Sequence, residues 1–414
     1  MKDPYNCSRR EFLGDTFGAL ASAAMLVGKV GRAEDAAATP PAVYRRKIKI
    51  GVVGNGERGS WIAGLFLAHG GFEVHSVADY FPNVVAKCGD SLGVDKARRF
   101  SGLSGYKRLI ESGVEAVAIE AIPYFFPEQT SAAVDAGLHV YMAKPVAVDV
   151  PGALRVAAAG KRATTNRRCF MVDYQMSTDP SNIEVVERVR AGALGPIAQV
   201  QTSGVCSGHD DPPKTGTIES RMQNLIWDND LALSGGYINA FDIHALDAAI
   251  WALGRRPVAA SGASRICRPN PNGDSPDVCS VVYEYADGLV HNHFGQALPN
   301  NSESSGGGMQ CHIFGQHANA LLAYAGKASV IGGPKHYVGT VENLYLSGVE
   351  RNIAKFYENI VGEHFENLTV PRAVDGVLTV ALGREAARRR TKLTMDDLLR
   401  ENRKLEVDLR GLTA

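Results

Sequence analysis

The stretch from Lys47 to Gly59, Lys-Ile-Lys-Ile-Gly-Val-Val-Gly-Asn-Gly-Glu-Arg-Gly, most constrains what this chain can fold into: an apolar strand breaks into closely spaced glycines and then enters a helix. Gly54, Gly56 and Gly59 supply G-x-G-x-x-G. The first permits a tight turn, the second lets backbone approach a pyrophosphate, and the third lets the helix pack closely on the strand. The phosphates of a dinucleotide would sit on that helix N-terminus, in a turn built from Gly54, Asn55, Gly56, Glu57, Arg58 and Gly59. Glycine-rich turns also merely end strands, so context decides. A second apolar strand, Phe72 to Ala78, ends in Asp79, 25 residues after Gly54 and close to the spacing of a ribose-binding carboxylate. Asp79 would accept hydrogen bonds from both ribose hydroxyls and repel a 2′-phosphate, which favours NAD over NADP.

At 414 residues the chain has room for two domains, each able to bury a core. Its 44 basic and 44 acidic residues balance, which leaves no electrostatic footprint for nucleic acid or an anionic membrane. The seven cysteines are scattered, with no C-x-x-C and no metal-finger spacing, and read as buried free thiols.

The first residues read as an address. Ser8-Arg9-Arg10-Glu11-Phe12-Leu13 has the form of a twin-arginine export signal, followed by an apolar stretch to Val27 that is too short and too polar for a stable membrane span. Residues 1–33 are expected to be a signal peptide and 34–46 an Ala/Pro-rich linker, with export to the periplasm or an equivalent exterior. That route carries proteins already folded, so a nucleotide can be acquired before export.

From Ile48 the chain alternates strands and helices, the pattern of an α/β fold with a parallel sheet covered on both faces. Residues 47–173 are expected to form a Rossmann dinucleotide-binding domain. Within it, His139 to Pro145 is a strand delivering Lys144 and Pro145 at its carboxyl end, where ligands of doubly wound sheets bind. Residues 174–375 are expected to form a second α/β domain, whose alternating strands (Ala198–Val205, Val258–Ile266, Val278–Tyr285, Leu289–Gln296, Met309–Phe314) make one open, mostly antiparallel sheet. One helix, Tyr237 to Leu253, interrupts them. Asn300 to Gly308 reads as a loop, and 376–414 as terminal helices, with Thr394-Met395-Asp396-Asp397 resembling a capping box.

Several elements then arrive in a telling order: the Gly54–Gly59 turn, Asp79, Ala118-Ile119-Glu120-Ala121-Ile122-Pro123, Ala143-Lys144-Pro145, Gly235-Gly236-Tyr237 and Ile243-His244-Ala245-Leu246-Asp247. From about Lys47 onward the chain resembles the glucose-fructose oxidoreductase / inositol dehydrogenase (Gfo/Idh/MocA) family. That resemblance implies a Rossmann domain plus a domain whose open sheet walls the substrate site and often pairs, so a homodimer or homotetramer is expected. It also implies that Ile122 and Pro123 lie beside the nicotinamide and that Lys144-Pro145 completes the cofactor side.

Oxidising a secondary alcohol sends a hydride to the nicotinamide and a proton to a base, so a cation and a base must meet at one carbinol oxygen. Lys144 is the cation candidate and His244 the base candidate, because an unperturbed imidazole pKa near 6.5 suits proton transfer at neutral pH. The departures from the family pattern matter too. Ala143 replaces the glutamate usually found before the lysine, Pro127 stands where many members have histidine, and Ala240 occupies a position often acidic. Asp242 lies about 200° round a helix from His244, so it replaces the missing carboxylate only if the backbone there is irregular. Tyr174 and Gln175 either contact substrate or pack the domain junction. Arg221, Asn224, Trp227 and Asp228 precede the glycine pair, where Trp227 either holds a sugar face or anchors the loop. His209-Asp210-Asp211 lacks further ligands at metal-binding spacing, and His291 with His293 reads as structural, so no metal is expected.

Together these residues predict an exported NAD-dependent oxidoreductase acting on a sugar, glycoside or cyclitol hydroxyl, with the nucleotide tightly held. The rival is a redox-neutral, NAD-dependent glycoside hydrolase that oxidises C3 transiently, eliminates the aglycone and recovers its hydride. It would need a further base, for which Tyr174 and Asp242 are the candidates.

Overall fold

The computed structural model describes Tyr44, residues 46–298 and residues 308–414, and residues 44–414 form one compact unit. The expected signal peptide, nearly all of the expected linker and the expected loop from Asn300 lie outside the described residues.

Five short, largely apolar segments and a three-residue Arg-Phe-Ser edge make the first sheet: β1 (Ile48–Val53), β2 (Phe72–Asp79), β3 (Arg99–Ser101, the edge), β4 (Ala116–Ile119), β5 (His139–Ala143) and β6 (Phe170–Asp173). Their order is β3-β2-β1-β4-β5-β6 and every pairing is parallel. β4, β5 and β6 are buried at every position, which is why they read as continuous apolar runs rather than alternations. The crossovers are α1 (Glu57–His69), α2 (Pro82–Leu92), α3 (Gly105–Ile110), α4 (Phe126–Asp135) and α5 (Val150–Thr165). α1 and α2 end on left-handed glycines, Gly70 and Gly93. At the start of α5, the Asp149 carboxylate accepts from the Gly152 N–H at 2.8 Å.

The second sheet follows α6 (Pro180–Arg190). It comprises β7 (Ile197–Cys206), β8 (Ala259–Arg265), β9 (Val278–Glu284), β10 (Val290–Ala297), β11 (Gly308–Gly315), β12 (Asn319–Ala323), β13 (Gly326–Ile331), β14 (Tyr337–Val341) and β15 (Leu393–Thr394). The order is β14-β13-β12-β11-β7-β10-β9-β8-β15, antiparallel except for β7 with β10. The sheet is thus mixed and mostly antiparallel, as expected, and longer by β12–β14 and β15 than the sequence indicated. One face is filled by α6 and α7 (Ile243–Leu253). The opposite face alternates toward solvent, with Ile331 and Val338 about half exposed.

Three findings revise the expected layout. The single helix from Tyr237 to Leu253 is divided: Ile238–Asp242 is a π-helical turn, and α7 begins only at Ile243. α8 (Leu344–Val361), read as part of the second domain, buries Val349, Ile353, Phe356 and Ile360 among Ile48, Ile50, Phe66 and Phe72 of the first. Burying each such side chain contributes about 2 kcal/mol, so α8 belongs energetically to the Rossmann layer. Finally, α9 (Thr369–Arg389) packs between the two halves and α10 (Met395–Glu401) is capped by Thr394, but residues 402–414 hold no helix.

Candidate active site

The carboxyl ends of β1, β2, β4, β5 and β6 bring the chemistry-bearing side chains to one edge of the parallel sheet, where ligands of such folds bind. At the end of β1, Gly54 has φ +86° and a Cβ there would run into the Ala121 backbone; one at Gly59 would strike the Gly54 carbonyl. Both positions therefore demand glycine. Gly56 has no heavy atom within 4 Å of where its Cβ would lie, so the turn stands open on that side. Among the described residues no side chain caps the α1 N-terminus that follows, and Glu57 is exposed. At the end of β2, Asp79 Oδ2 accepts from the Asn55 N–H at 2.7 Å and Oδ1 from the Phe81 N–H at 3.0 Å. Burial pushes its pKa up while these bonds hold the anion. A carboxylate offers about four lone-pair sites, so Asp79 keeps acceptors for two hydroxyls. The open glycine turn, the uncapped helix start and the anchored carboxylate fit a dinucleotide. Ile122 and Pro123 lie in the connection after β4, both buried.

Lys144, directly after β5, is half-buried, and its Nζ donates to the Ala240 carbonyl oxygen at 2.6 Å. Burial and the Arg58 charge push its pKa down to about 8, against the opposing pull of Asp228, Asp173 and Glu120. Its ammonium also stands 5.9 Å from the Phe241 ring centroid. The π-helical turn thus presents a main-chain acceptor to the lysine at the very position where the side chain is only Ala240.

His244, at the start of α7, is buried between the rings of Tyr174 (6.1 Å) and Tyr324 (5.1 Å). Among the described residues its Nδ1 has no hydrogen-bond partner. Burial, and then the charges of Lys144 and Arg58, hold the imidazole well below its usual pKa, so it is neutral at pH 7. The Tyr174 hydroxyl is likewise buried with no hydrogen-bond partner among the described residues, and burial beside Asp247 keeps it a neutral phenol. Asp247, of the His-x-x-Asp pattern, pairs with Arg372 at 2.8 Å, and burial raises its pKa to about 6.

Sequence reasoning missed the ion cluster underneath. Arg58 does not turn outward from the glycine loop: its Nη2 donates to Asp173 Oδ2 at 2.6 Å and its Nε lies 3.2 Å from Glu120 Oε2. Asp173 also accepts from Gln175 Nε2 at 2.8 Å and from Asn352 Nδ2 at 2.7 Å. Both Glu120 oxygens are buried with no aligned hydrogen bond among the described residues, and burial raises its pKa to about 7. The register pairs Ile119 with Met142, which puts Glu120 across from Ala143. A carboxylate is therefore present beside Lys144 after all, one strand over from where the family pattern has it. The signal was a lone acid ending an apolar strand. Tyr324, between β12 and β13, gave no comparable signal.

Other expectations are corrected. The π-helical turn does not bring Asp242 to Lys144; it sends the carboxylate into the second sheet, where Oδ2 lies 3.1 Å from His293 Nε2. A Cβ at Gly204 or Gly295 would overlap Asp242, so both glycines make room for it. His293 Nδ1, Thr202 Oγ1 and His291 Nε2 continue the buried chain at 3.0 and 2.7 Å. Asp242, Cys279 and His293 place ligand-type atoms within 4.8 Å of one another, and the direct carboxylate–imidazole contact accounts for the arrangement. Arg221 does not face substrate either. It is fully buried, holding Asp230 at 2.6 Å, Asp211 at 2.5 Å and the Pro212 carbonyl at 2.6 Å, a fastening for its loop. Gln175, between Asp173 and the Tyr324 hydroxyl at 3.3 Å, packs the domain junction. Trp227 joins an apolar cluster with Ile122, Tyr124 and Phe125, and Asp228 pairs with His209 at 3.2 Å.

Fold and site define a class: a parallel six-stranded sheet of Rossmann type joined to a mixed nine-stranded one, with Lys144 of the first bonded to the Ala240 carbonyl one turn before His244 of the second. Residues 183–320 match the model of the GFO/IDH/MocA C-terminal domain. Myo-inositol dehydrogenase Hyg17 of Streptomyces leeuwenhoekii is 28% identical over 177 residues, which is 42% of this chain and 49% of the relative, so the match spans about half of that protein. An aldose-aldose oxidoreductase from Caulobacter crescentus, crystallised with glycerol, superposes with a TM-score of 0.68 at 22% identity, over 84% of this chain and all of that one. A levoglucosan dehydrogenase in complex with NADH and levoglucosan also gives 0.68, at 14% identity, over 84% of this chain and all of that one. At such identities the solved structures establish the fold.

Proposed function

We propose that this protein is an NAD-dependent oxidoreductase that oxidises a secondary hydroxyl of a sugar, glycoside or cyclitol. The observation that carries the reading is that Lys144, at the carboxyl edge that also holds the glycine turn and Asp79, hydrogen-bonds the Ala240 carbonyl one helical turn before His244, a neutral imidazole whose Nδ1 has no partner among the described residues. The curated relative is a myo-inositol dehydrogenase, and the superposed structures include sugar oxidoreductases, one of them with NADH bound. NAD would be held by the Gly54–Gly59 turn at its pyrophosphate and by Asp79 at its ribose. When bound it supplies the hydride acceptor. Lys144 then donates a hydrogen bond to the carbinol oxygen and stabilises the developing alkoxide, while His244 Nδ1 takes the hydroxyl proton. His244 is buried and Lys144 half-buried, so water around the pair is restricted and these interactions are strengthened.

The expected export through Arg9-Arg10 and a homo-oligomer formed by the open face of the second sheet belong to the same proposal. A nucleotide that must function outside the cytoplasm has to stay bound. For the glycoside hydrolase, one of the two candidate bases, Asp242, is engaged in the second sheet, and no observation favours that reading. The test is to purify the protein without added nucleotide, denature it, and identify what is released, then follow absorbance near 340 nm of the intact protein with a panel of sugars, cyclitols and aryl glycosides. Bound NAD that becomes stably reduced supports the proposal. Aglycone release over many turnovers without net reduction overturns it, as does failure to bind NAD at all.

A further inference from the structure

Residues 402–414 cross the carboxyl edge of the parallel sheet from one side to the other. The Leu405 N–H donates to Asp149 Oδ2 at 2.8 Å, at the cap of α5 beyond β5. Val407 and Leu412 then pack in one apolar cluster with Tyr124 and Phe125, which follow β4, and with Tyr80 and Phe81, which follow β2. The Thr413 N–H donates to the Tyr80 hydroxyl at 3.2 Å, and the Thr413 carbonyl accepts from the Leu103 N–H at 3.0 Å, in the turn after β3. The carbonyl of Ala414 lies over Gly102, where a Cβ would overlap it. Between these anchors the segment passes Thr217 of the second domain, whose methyl would lie 3.0 Å from a Cβ at Gly411. Tyr80 and Phe81 adjoin Asp79, and Tyr124 and Phe125 adjoin Pro123. The four rings therefore flank the space beyond the ribose carboxylate, where the adenosine half of a dinucleotide lies in this fold.

We infer that residues 402–414 are a strap that forms the outer wall of the adenosine subsite and sets how slowly NAD leaves. The inference rests on the proposed function and adds to it the part of the chain that retains the cofactor. The strap is extended. Leu405, Val407, Leu409 and Leu412 are half-buried while the residues between them face solvent, so it is held by four partial anchors and a few hydrogen bonds rather than locked into a core. Such a wall opens without unfolding the sheet beneath it. Closed, it covers aromatic faces on which an adenine ring can stack, and the nucleotide leaves only when it lifts.

The test is the release rate of NADH, followed by fluorescence after chasing with excess NAD. Three variants are compared with the full chain: one lacking residues 403–414, the same-length Leu412→Asp, and a double variant, Leu103→Cys with Thr413→Cys. Truncation and Leu412→Asp are expected to raise the release rate tenfold or more, with the fold verified by the nucleotide-free melting temperature. The cysteine pair, whose backbones already hydrogen-bond, is expected to release NADH at least tenfold more slowly oxidised than reduced. Equal rates in the full chain and Leu412→Asp, together with equal rates for the oxidised and reduced pair, overturn the strap alone. If the full chain binds no NADH, the proposed function falls and the strap with it.

Discussion

Lys144 Nζ lies 2.6 Å from the carbonyl oxygen of Ala240, a hydrogen bond joining the end of β5 in the first domain to the π-helical turn of the second. A side-chain carboxylate at position 240 would have to be aimed and ionised. A main-chain carbonyl is already fixed by the helix, so it holds the lysine without adding charge. The lysine is then kept cationic only weakly, because burial works against it and three carboxylates, Asp228, Asp173 and Glu120, work for it.

This balance gives the first prediction. Only the ammonium form of Lys144 can stabilise an alkoxide, and its pKa is lowered to about 8. Alcohol oxidation is therefore expected to be flat below that value and to fall as pH rises through it, since His244, held far below its usual pKa, stays neutral across the same range. Lys144→Ala is expected to cost about a thousandfold in kcat/KM while leaving NAD bound, measured by steady-state rates beside a nucleotide titration. Retained activity in the variant would remove Lys144 from the chemistry.

Asp79 carries the second. Its two oxygens accept from Asn55 and Phe81 N–H groups and keep lone pairs for ribose hydroxyls. Asp79→Ala is expected to weaken NAD by about tenfold or more, the worth of hydrogen bonds to a charged group, and to narrow the preference over NADP because the repulsion of a 2′-phosphate is gone. Competitive titration of both nucleotides against each protein checks it; an unchanged ratio would mean that Asp79 does not face the ribose.

The third concerns the buried Asp242–His293 pair. Gly204 and Gly295 are required because the Asp242 carboxylate fills the space where their Cβ atoms would be. Gly295→Ala is expected to destabilise the fold by about 1–3 kcal/mol, and to cost much less when Asp242 is already alanine. A double-mutant cycle read by denaturant unfolding measures that coupling. Additive losses would mean the glycine is required for another reason.

Apart from β3, whose three residues Arg-Phe-Ser carry no apolar run, the first sheet is legible because its signals are local: glycines at a forced spacing, apolar runs four to eight residues long, and an acid closing β2. The π-helical turn was not, because the apolar period of a helix continues through Ile238 and Ile243 whether or not the turn is widened, and only packing of Asp242 against Gly204 and Gly295 shows that it is. Nor can periodicity say which sheet receives a helix face, so α8 was placed with its sequence neighbours instead of with Phe66 and Phe72. β12 to β14 are five or six residues each, too short for alternation to separate them from turns. In Leu405-Glu406-Val407-Asp408-Leu409 a period of two was present, and it argued for an extended strap rather than the helix expected there.

Glu120 supplies the last prediction. Its folded pKa of about 7 stands above its ordinary value of 4.5, chiefly through burial, with Arg58 opposing the rise and Asp173 adding to it. A carboxyl raised in this way favours folding while it is protonated in both states, and that contribution is lost between 4.5 and about 7, because the unfolded chain releases the proton first. Glu120→Gln removes the ionisation while Arg58 keeps Asp173 as a partner at 2.6 Å. Without nucleotide, the variant is therefore expected to gain in melting temperature relative to the natural protein on going from pH 5 to pH 8. A gap that does not change with pH would mean that Glu120 is ionised throughout, paired with Arg58 as an ordinary salt bridge. Carried out again with NAD bound, the same pair of melts shows whether the carboxyl that faces Ala143 changes its proton when the cofactor enters.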